Sequence, residues 1–197
     1  IDIVLMTHMH HDHSGGLTRV NDQGELVSKY SNAKIIVNDV EWYEMRNPNN
    51  RTRGTYLREN WEPIQDQVTT FSEYINVIPE IQMIHTSGHS NGHSIILLKQ
   101  GKDTMIHMGD LMLSHVHRNP LWVPAVDDYP MKSILAKEKW LRQAFENHYK
   151  FFFYHDQFFA VVEFDKEGKE LVDYVLRSRP PLIPFTDEQD RKPDFLG

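Results

Sequence analysis

The chain has 197 residues, the size of one ordinary domain, and sets 21 Lys and Arg against 28 Asp and Glu, a formal net charge of −7. That balance argues against a nucleic-acid partner, because neutralising phosphates needs clustered Lys and Arg, and the nearest basic patch, Arg46, Arg51, Arg53 and Arg58, is diluted by Asn and Glu. No apolar run approaches the ~20 residues of a membrane helix, and zero cysteines exclude disulfides, thiolate metal ligands and a Cys nucleophile.

Residues 1–6 read as a short buried strand, apolar and β-branched. The chain opens inside that run with no Met and no leader. It is read as a fragment or processed chain, and the missing leader and cysteines make the cytoplasm the expected location. A polar loop over 7–16 follows, then a helix-like stretch at 17–20. Residues 33–37 read as a second strand, and Asn38-Asp39-Val40-Glu41 as a capping box with Glu41 reaching back to Asn38. The helix that starts there runs to Met45 and stops at Asn47-Pro48. Residues 47–54, rich in Asn and Arg, read as the most disordered piece.

Leu57, Trp61, Ile64 and Val68 recur at the spacing of an amphipathic helix. Residues 75–79 and 81–85 read as strands, and 94–99 with 103–108 as a hairpin about Gln100-Gly101-Lys102. An irregular stretch spans 111–130. The clearest helix covers 131–148, with Ile134, Leu141, Phe145 and His148 on one stripe. Residues 151–154 read as a buried strand, and 157–164 with 169–176 as a last hairpin. Residues 180–197, with four prolines and four acidic side chains, read as a Pro-rich acidic extension to a domain over 1–179. Strands and helices alternate, so the class is α/β, with the polar clusters at strand ends.

Those clusters carry the chemistry. The chain has 12 histidines, eight of them in three tight groups. In His8-Met9-His10-His11-Asp12-His13, imidazoles at i and i+2 on an extended loop reach one metal ion, and the Asp-His pair turns to a second. Zinc accepts imidazole nitrogen and carboxylate oxygen, and a hydrolytic site keeps one position for water. His11, between ligands, is expected in solvent; His85 and His107, on strands, are expected at the core edge; His148 is expected half-buried.

The segment His8-x-His10-x-Asp12-His13 at a strand end resembles the signature of the metallo-β-lactamase superfamily. Thr86-Ser87-Gly88-His89-Ser90-Asn91-Gly92-His93 resembles its Thr-Pro-Gly-His-Thr-Pro-Gly-His segment, with Ser87 and Asn91 in place of the prolines. Met108-Gly109-Asp110 and His155 each follow a strand, as the family's bridging aspartate and last ligand histidine do. The resemblance implies an αββα sandwich, its N-terminal strands missing from this chain. It implies two divalent metal ions, zinc by default with iron, cobalt or manganese fitting the same donors. His8, His10 and His89 would hold one and Asp12, His13 and His155 the other, with Asp110 bridging. His93 would support the ligands without binding metal.

Within the superfamily the chain resembles the quorum-quenching lactonase (YtnP-like) and methyl-parathion-hydrolase-like branch. That implies a metal-dependent hydrolase opening N-acyl-homoserine lactones by attack of a metal-bridging hydroxide, with Asp12 or Asp110 moving the proton. The partner would be a small-molecule lactone or ester, and a homodimer is a candidate assembly, since homodimers are common in that branch. Organophosphate triesters and glyoxalase II-like thioesters are the alternative substrates, and a metal-binding module without catalysis the non-enzymatic alternative. His115, His117 and Trp122, in the loop after Asp110, are the candidate substrate contacts. Leu113 stands where many small lactonases of the family carry a Tyr directed at the substrate carbonyl.

Overall fold

The computed structural model describes residues 1–178. The extension expected over 180–197 lies outside them. In chain order, β1 (Ile3–Leu5) leads through a loop to the one-turn helix α1 (His11–Ser14), followed by β2 (Thr18–Val20), β3 (Leu26–Ser28) and β4 (Lys34–Asn38). Helices α2 (Asp39–Arg46) and α3 (Arg58–Trp61) precede β5 (Val68–Phe71). Four strands then follow: β6 (Tyr74–Ile78), β7 (Ile81–His85), β8 (Ser94–Gln100) and β9 (Asp103–His107). The long helix α4 (Pro130–Glu146) and strands β10 (Lys150–Phe152), β11 (Phe159–Phe164) and β12 (Leu171–Leu176) complete the described chain.

Two sheets form. One is parallel, in the order β1-β4-β5; the other has seven strands in the order β12-β11-β10-β9-β8-β7-β6. Alternation along each strand sends successive side chains to opposite faces, and the cores follow that period. Ile36 of β4 and Ile96 of β8 meet Phe71 and Met83 between the sheets. Their neighbours Ile35 and Val37 face the other way, under Trp42 and Met45 of α2. Ile95 and Leu97 pack beneath Trp140, Leu141 and Ala144 of α4. Two sheets back to back with helices outside give the αββα architecture. No helix among the described residues is long and apolar enough to cross a membrane.

The fold corrects several local expectations. Residues 17–20 contain a strand, not a helix: β2 pairs antiparallel with β3, Arg19 opposite Val27. The turn between them is closed by Asn21, whose Oδ1 accepts from the backbone N–H groups of Gln23 and Glu25, with Gly24 at φ +81. The stripe from Leu57 to Val68 does not sit on one helix. Pro63 cannot donate a helical hydrogen bond, the chain tightens into a 3-10 turn over Glu62–Gln67, and Val68 passes into β5 opposite Ile35.

Residues 47–54 are tied down rather than loose: Asn49 Oδ1 accepts from the N–H groups of Arg51 and Thr52, and Arg51 Nε donates to Asp128 at 2.6 Å. In α4 the buried stripe is Ser133, Ala136, Lys137, Trp140, Leu141 and Ala144. His148 lies beyond the helix end at φ +57, exposed and 3.2 Å from Glu163.

Candidate metal centre

The loop from Thr7 to His10 leaves the end of β1, and α1 turns Asp12 and His13 back toward it. β9 ends at His107, and a 3-10 turn over Gly109–Met112 carries Asp110 to the same place. His89 comes from the loop between β7 and β8, and His155 from the loop between β10 and β11. Donor atoms from these four segments form two groups, His8, His10 and His89 in one and Asp12, His13, Asp110 and His155 in the other, with all atoms of a group within 4.8 Å of one another.

The groups adjoin through Asp110. Its Oδ2 lies 3.2 Å from His13 Nε2, 3.5 Å from His89 Nε2 and 3.9 Å from His8 Nε2, and its Oδ1 is 3.4 Å from His155 Nε2. Asp12 closes the solvent side, 3.3 Å from His13 Nε2 and 3.6 Å from His155 Nε2.

Divalent cations fit this donor set. His10 Nδ1 faces His89 Nε2 at 3.0 Å, and His13 Nε2 faces His155 Nε2 at 3.3 Å. Two imidazole nitrogens meeting this way need a proton or a cation between their lone pairs. His8 Nε2 and Asp110 Oδ1 are buried without a hydrogen-bond partner, a state that is costly unless something else satisfies them. Burial holds His8 well below its ordinary pKa and lowers His10 to about 3, so both stay neutral, the form that binds metal. Burial pushes the Asp110 carboxyl up, but the neighbouring imidazoles of His13 and His155 outweigh it and hold the group well below the carboxylate range. An anionic oxygen donor is the result.

Supporting contacts set the direction of each ring. His89 Nδ1–H donates to Asp127 Oδ1 at 2.8 Å, and Asp127 in turn accepts from Ser133 Oγ of α4. That bond, against the opposing effect of burial, raises the His89 pKa. His8 Nδ1 meets Thr7 Oγ1 at 3.1 Å, and the same oxygen meets the Tyr154 hydroxyl at 3.1 Å. His93, fully buried, accepts the Asp110 N–H at Nε2 (3.2 Å) and meets Thr86 Oγ1 through Nδ1 at 3.0 Å. It therefore orients the turn that carries Asp110. Gly109, at φ +52, has no room for a side chain: a Cβ would stand 2.5 Å from His93 Nε2.

The other histidines separate. His11 is exposed, and His85 Nε2 meets the Asn91 carbonyl at 2.8 Å. His107 is buried, accepts the Gly109 N–H at 2.8 Å and lies against the Tyr154 ring. Glu41 is not part of a capping box. Asn38 caps α2 through the Val40 N–H, while the Glu41 side chain turns inward, fully buried, to accept from Met9 N–H (2.8 Å), the Tyr56 hydroxyl (3.0 Å) and Ser90 Oγ (2.6 Å).

Of the three candidate substrate contacts, His115 is held by Asp156, whose Oδ2 accepts both its backbone N–H and its Nδ1–H, at 2.9 and 2.6 Å. His117 Nδ1 meets Ser114 Oγ at 2.9 Å. Trp122 is exposed and lines a cleft of about 1080 Å³ with Leu141, Phe145 and Lys169, a cleft whose lining includes none of the seven clustered residues. Asp127, Glu41 and Asp156 were missed as site residues from the sequence. The one visible signal was for Asp156, which directly follows His155.

Known proteins share the family pattern and the fold. An N-acyl homoserine lactonase of Bacillus cereus is 29% identical over 103 residues, 52% of this chain and 35% of that protein. A probable metal-dependent hydrolase from Staphylococcus aureus superposes with a TM-score of 0.86 at 39% identity, over 91% of this chain and 64% of the other. AidC, a dizinc quorum-quenching lactonase in complex with its product N-hexanoyl-L-homoserine, shares the fold, with a TM-score of 0.73 at 17% identity, over 91% of this chain and 65% of that one. The chain thus spans about a third of the curated relative and under two thirds of the S. aureus structure. The sequence pattern of the metallo-β-lactamase superfamily covers residues 1–150. With that pattern running from β1 through the whole of α4, and an αββα sandwich beneath it, the chain belongs to the metallo-β-lactamase superfamily.

Proposed function

We propose that this protein is a metal-dependent hydrolase, and specifically a lactonase that opens N-acyl-homoserine lactones. One observation carries the reading: two donor groups, three histidines on one side and Asp12, His13 and His155 on the other, adjoin across the single carboxylate of Asp110. His8, His10 and His89 would hold one divalent cation and Asp12, His13 and His155 another, zinc by the character of the donors, and such a pair would supply a water of lowered pKa and polarise the scissile carbonyl.

The chain's own residues divide the remaining work. Asp110 is held ionised by His13 and His155, which suits it to bridging and makes it a poor proton donor. Asp12 lies at the rim, with its side chain 47% exposed. It is the carboxylate suited to collect a proton from the attacking water and pass it to the departing ring oxygen. His115, fixed through Nδ1 by Asp156, presents Nε2 as its remaining polar atom and is proposed as a substrate contact, with His117 and Trp122 in the same loop as further candidates. The lactone class is supported by the B. cereus relative and the fold shared with AidC.

The test is proton release from an N-acyl-homoserine lactone by metal-loaded protein, with and without chelator. Chelator-sensitive release supports the lactonase. Silence from a protein that binds two metals overturns it in favour of organophosphate triesters or thioesters. Silence towards all three substrate classes leaves a metal-binding module.

A further inference from the structure

The first donor group, His8, His10 and His89, is assembled from two loops that approach from different sheets. Its precision depends on what fixes one loop to the other. The hydrogen bonds to Thr7 and Asp127 each orient a single ring from within its own neighbourhood. One side chain spans both loops. Glu41, on the first turn of α2 and 0% exposed, accepts the N–H of Met9, the residue between His8 and His10, on Oε1. On Oε2 it accepts the hydroxyl of Ser90, the residue after His89. Tyr56, whose ring lies 5.3 Å from that of His10, donates its hydroxyl to Oε1. All three donors are neutral groups, so the carboxylate is held in place by hydrogen bonds rather than by a Lys or Arg partner.

The packing around Glu41 is equally close. A Cβ on Gly92 would stand 2.1 Å from the Glu41 backbone nitrogen, so the loop bearing His89 lies directly on the start of α2. Asn91 Nδ2 adds a bond to Glu44 at 2.7 Å. Taking a carboxylate out of water is unfavourable, and burial does raise the Glu41 pKa. Three hydrogen bonds offset part of that. An apolar side chain of similar size would fill the space without the desolvation, but it would leave the Met9 N–H and Ser90 hydroxyl unpaired, and the loops would then be joined at their bases by the Ser94 N–H to Thr7 carbonyl bond (2.8 Å) without the tie beside the ligands.

We propose that Glu41 is a positioning residue that clasps the His8–His10 loop to the His89 loop and so sets the affinity of the three-histidine metal site, leaving the site of Asp12, His13 and His155 unaffected. This rests on the metal reading above and adds to it a residue outside the ligand set that acts on one of the two sites. The selectivity follows from the contacts, since the clasp touches the neighbours of His8, His10 and His89 and none of the second group.

The test is a Zn²⁺ competition titration against a chromophoric chelator, resolving two binding steps, on wild type, Glu41→Met, Glu41→Gln and Ser90→Ala. Supporting contacts to metal sites are worth about 10–100-fold in affinity. Glu41→Met should weaken one step by at least about tenfold and spare the other. Glu41→Gln, which keeps an acceptor for Met9 and Tyr56 and offers an N–H to Ser90, should restore most of it. Ser90→Ala, which cuts only the tie to the His89 loop, should weaken the same step while the metal-free protein melts near the wild-type temperature. If Glu41→Met does not fold, Ser90→Ala decides the matter alone.

Variants that keep both steps at wild-type affinity, or weaken both equally, overturn the clasp and leave the metal reading intact. A wild type that binds no metal overturns both.

Discussion

Acid should unfold the metal-free protein through its buried histidines, and the size of the effect follows from burial. His10 and His107 are each lowered to about 3 by burial, against an ordinary value near 6.5. Between those values the unfolded chain binds a proton that the folded chain refuses, so stability falls as pH falls. The slope is about 1.4 kcal/mol per pH unit per group, which makes the loss about 2 kcal/mol for each histidine by pH 5. Together they remove about 4 kcal/mol from a total that for domains is about 5–15.

His8 and His93, also lowered by burial, push the same way. His89 and His155, whose pKa values are raised, contribute stability already complete below 6.5 and lost only as pH rises through their folded values. Glu41, raised by burial, recovers part of the loss as it protonates. Urea unfolding of chelator-treated protein at pH 7.5, 6.5 and 5.0 measures the total. The variant His107→Gln isolates one share: its loss between pH 7.5 and 5 should be smaller than that of wild type by about 2 kcal/mol. Equal losses in variant and wild type, or a wild type indifferent to pH, would refute the reasoning.

Three further outcomes are expected. His8→Ala or Asp110→Ala should abolish bound metal, read by elemental analysis, together with hydrolysis; full activity in either would sink the two-metal reading. Asp127→Asn, which keeps the shape but exchanges a charged acceptor for a neutral one at His89 Nδ1, should weaken metal binding by about tenfold with little change in fold, seen as an unaltered far-ultraviolet circular dichroism spectrum. His115→Ala should lower turnover on lactones while metal content stays the same, and an unchanged rate would return His115 to a packing role against Phe159.

Much of the centre was legible in the sequence because its donors sit at strand ends in short runs. His8, His10, Asp12 and His13 span six residues after an apolar strand, and once β1 is recognised they have to leave it together. His89, Asp110 and His155 each sit after a strand, and the resemblance to the metallo-β-lactamase superfamily is what marked them as ligands. The strands themselves showed through their apolar composition, as in β8 and β10, and α4 through its length.

What the sequence could not display were interactions whose partners lie far along the chain. Glu41 matched a capping box in every local respect, yet its carboxylate is taken by Met9 and Ser90, 32 and 49 residues away. Val68 completed a helical stripe, but pairing with Ile35 outweighs four residues of helical preference once Pro63 has broken the turn. Asp127 looked like one acid among many until α4 and the His89 loop enclosed it. Local periodicity encodes which face of an element is apolar, so the sequence by itself determined the alternating strands and helices and the runs that converge on the site. Only the tertiary structure decided which buried polar groups satisfy one another, because that choice is made by desolvation, and desolvation depends on everything packed around the group.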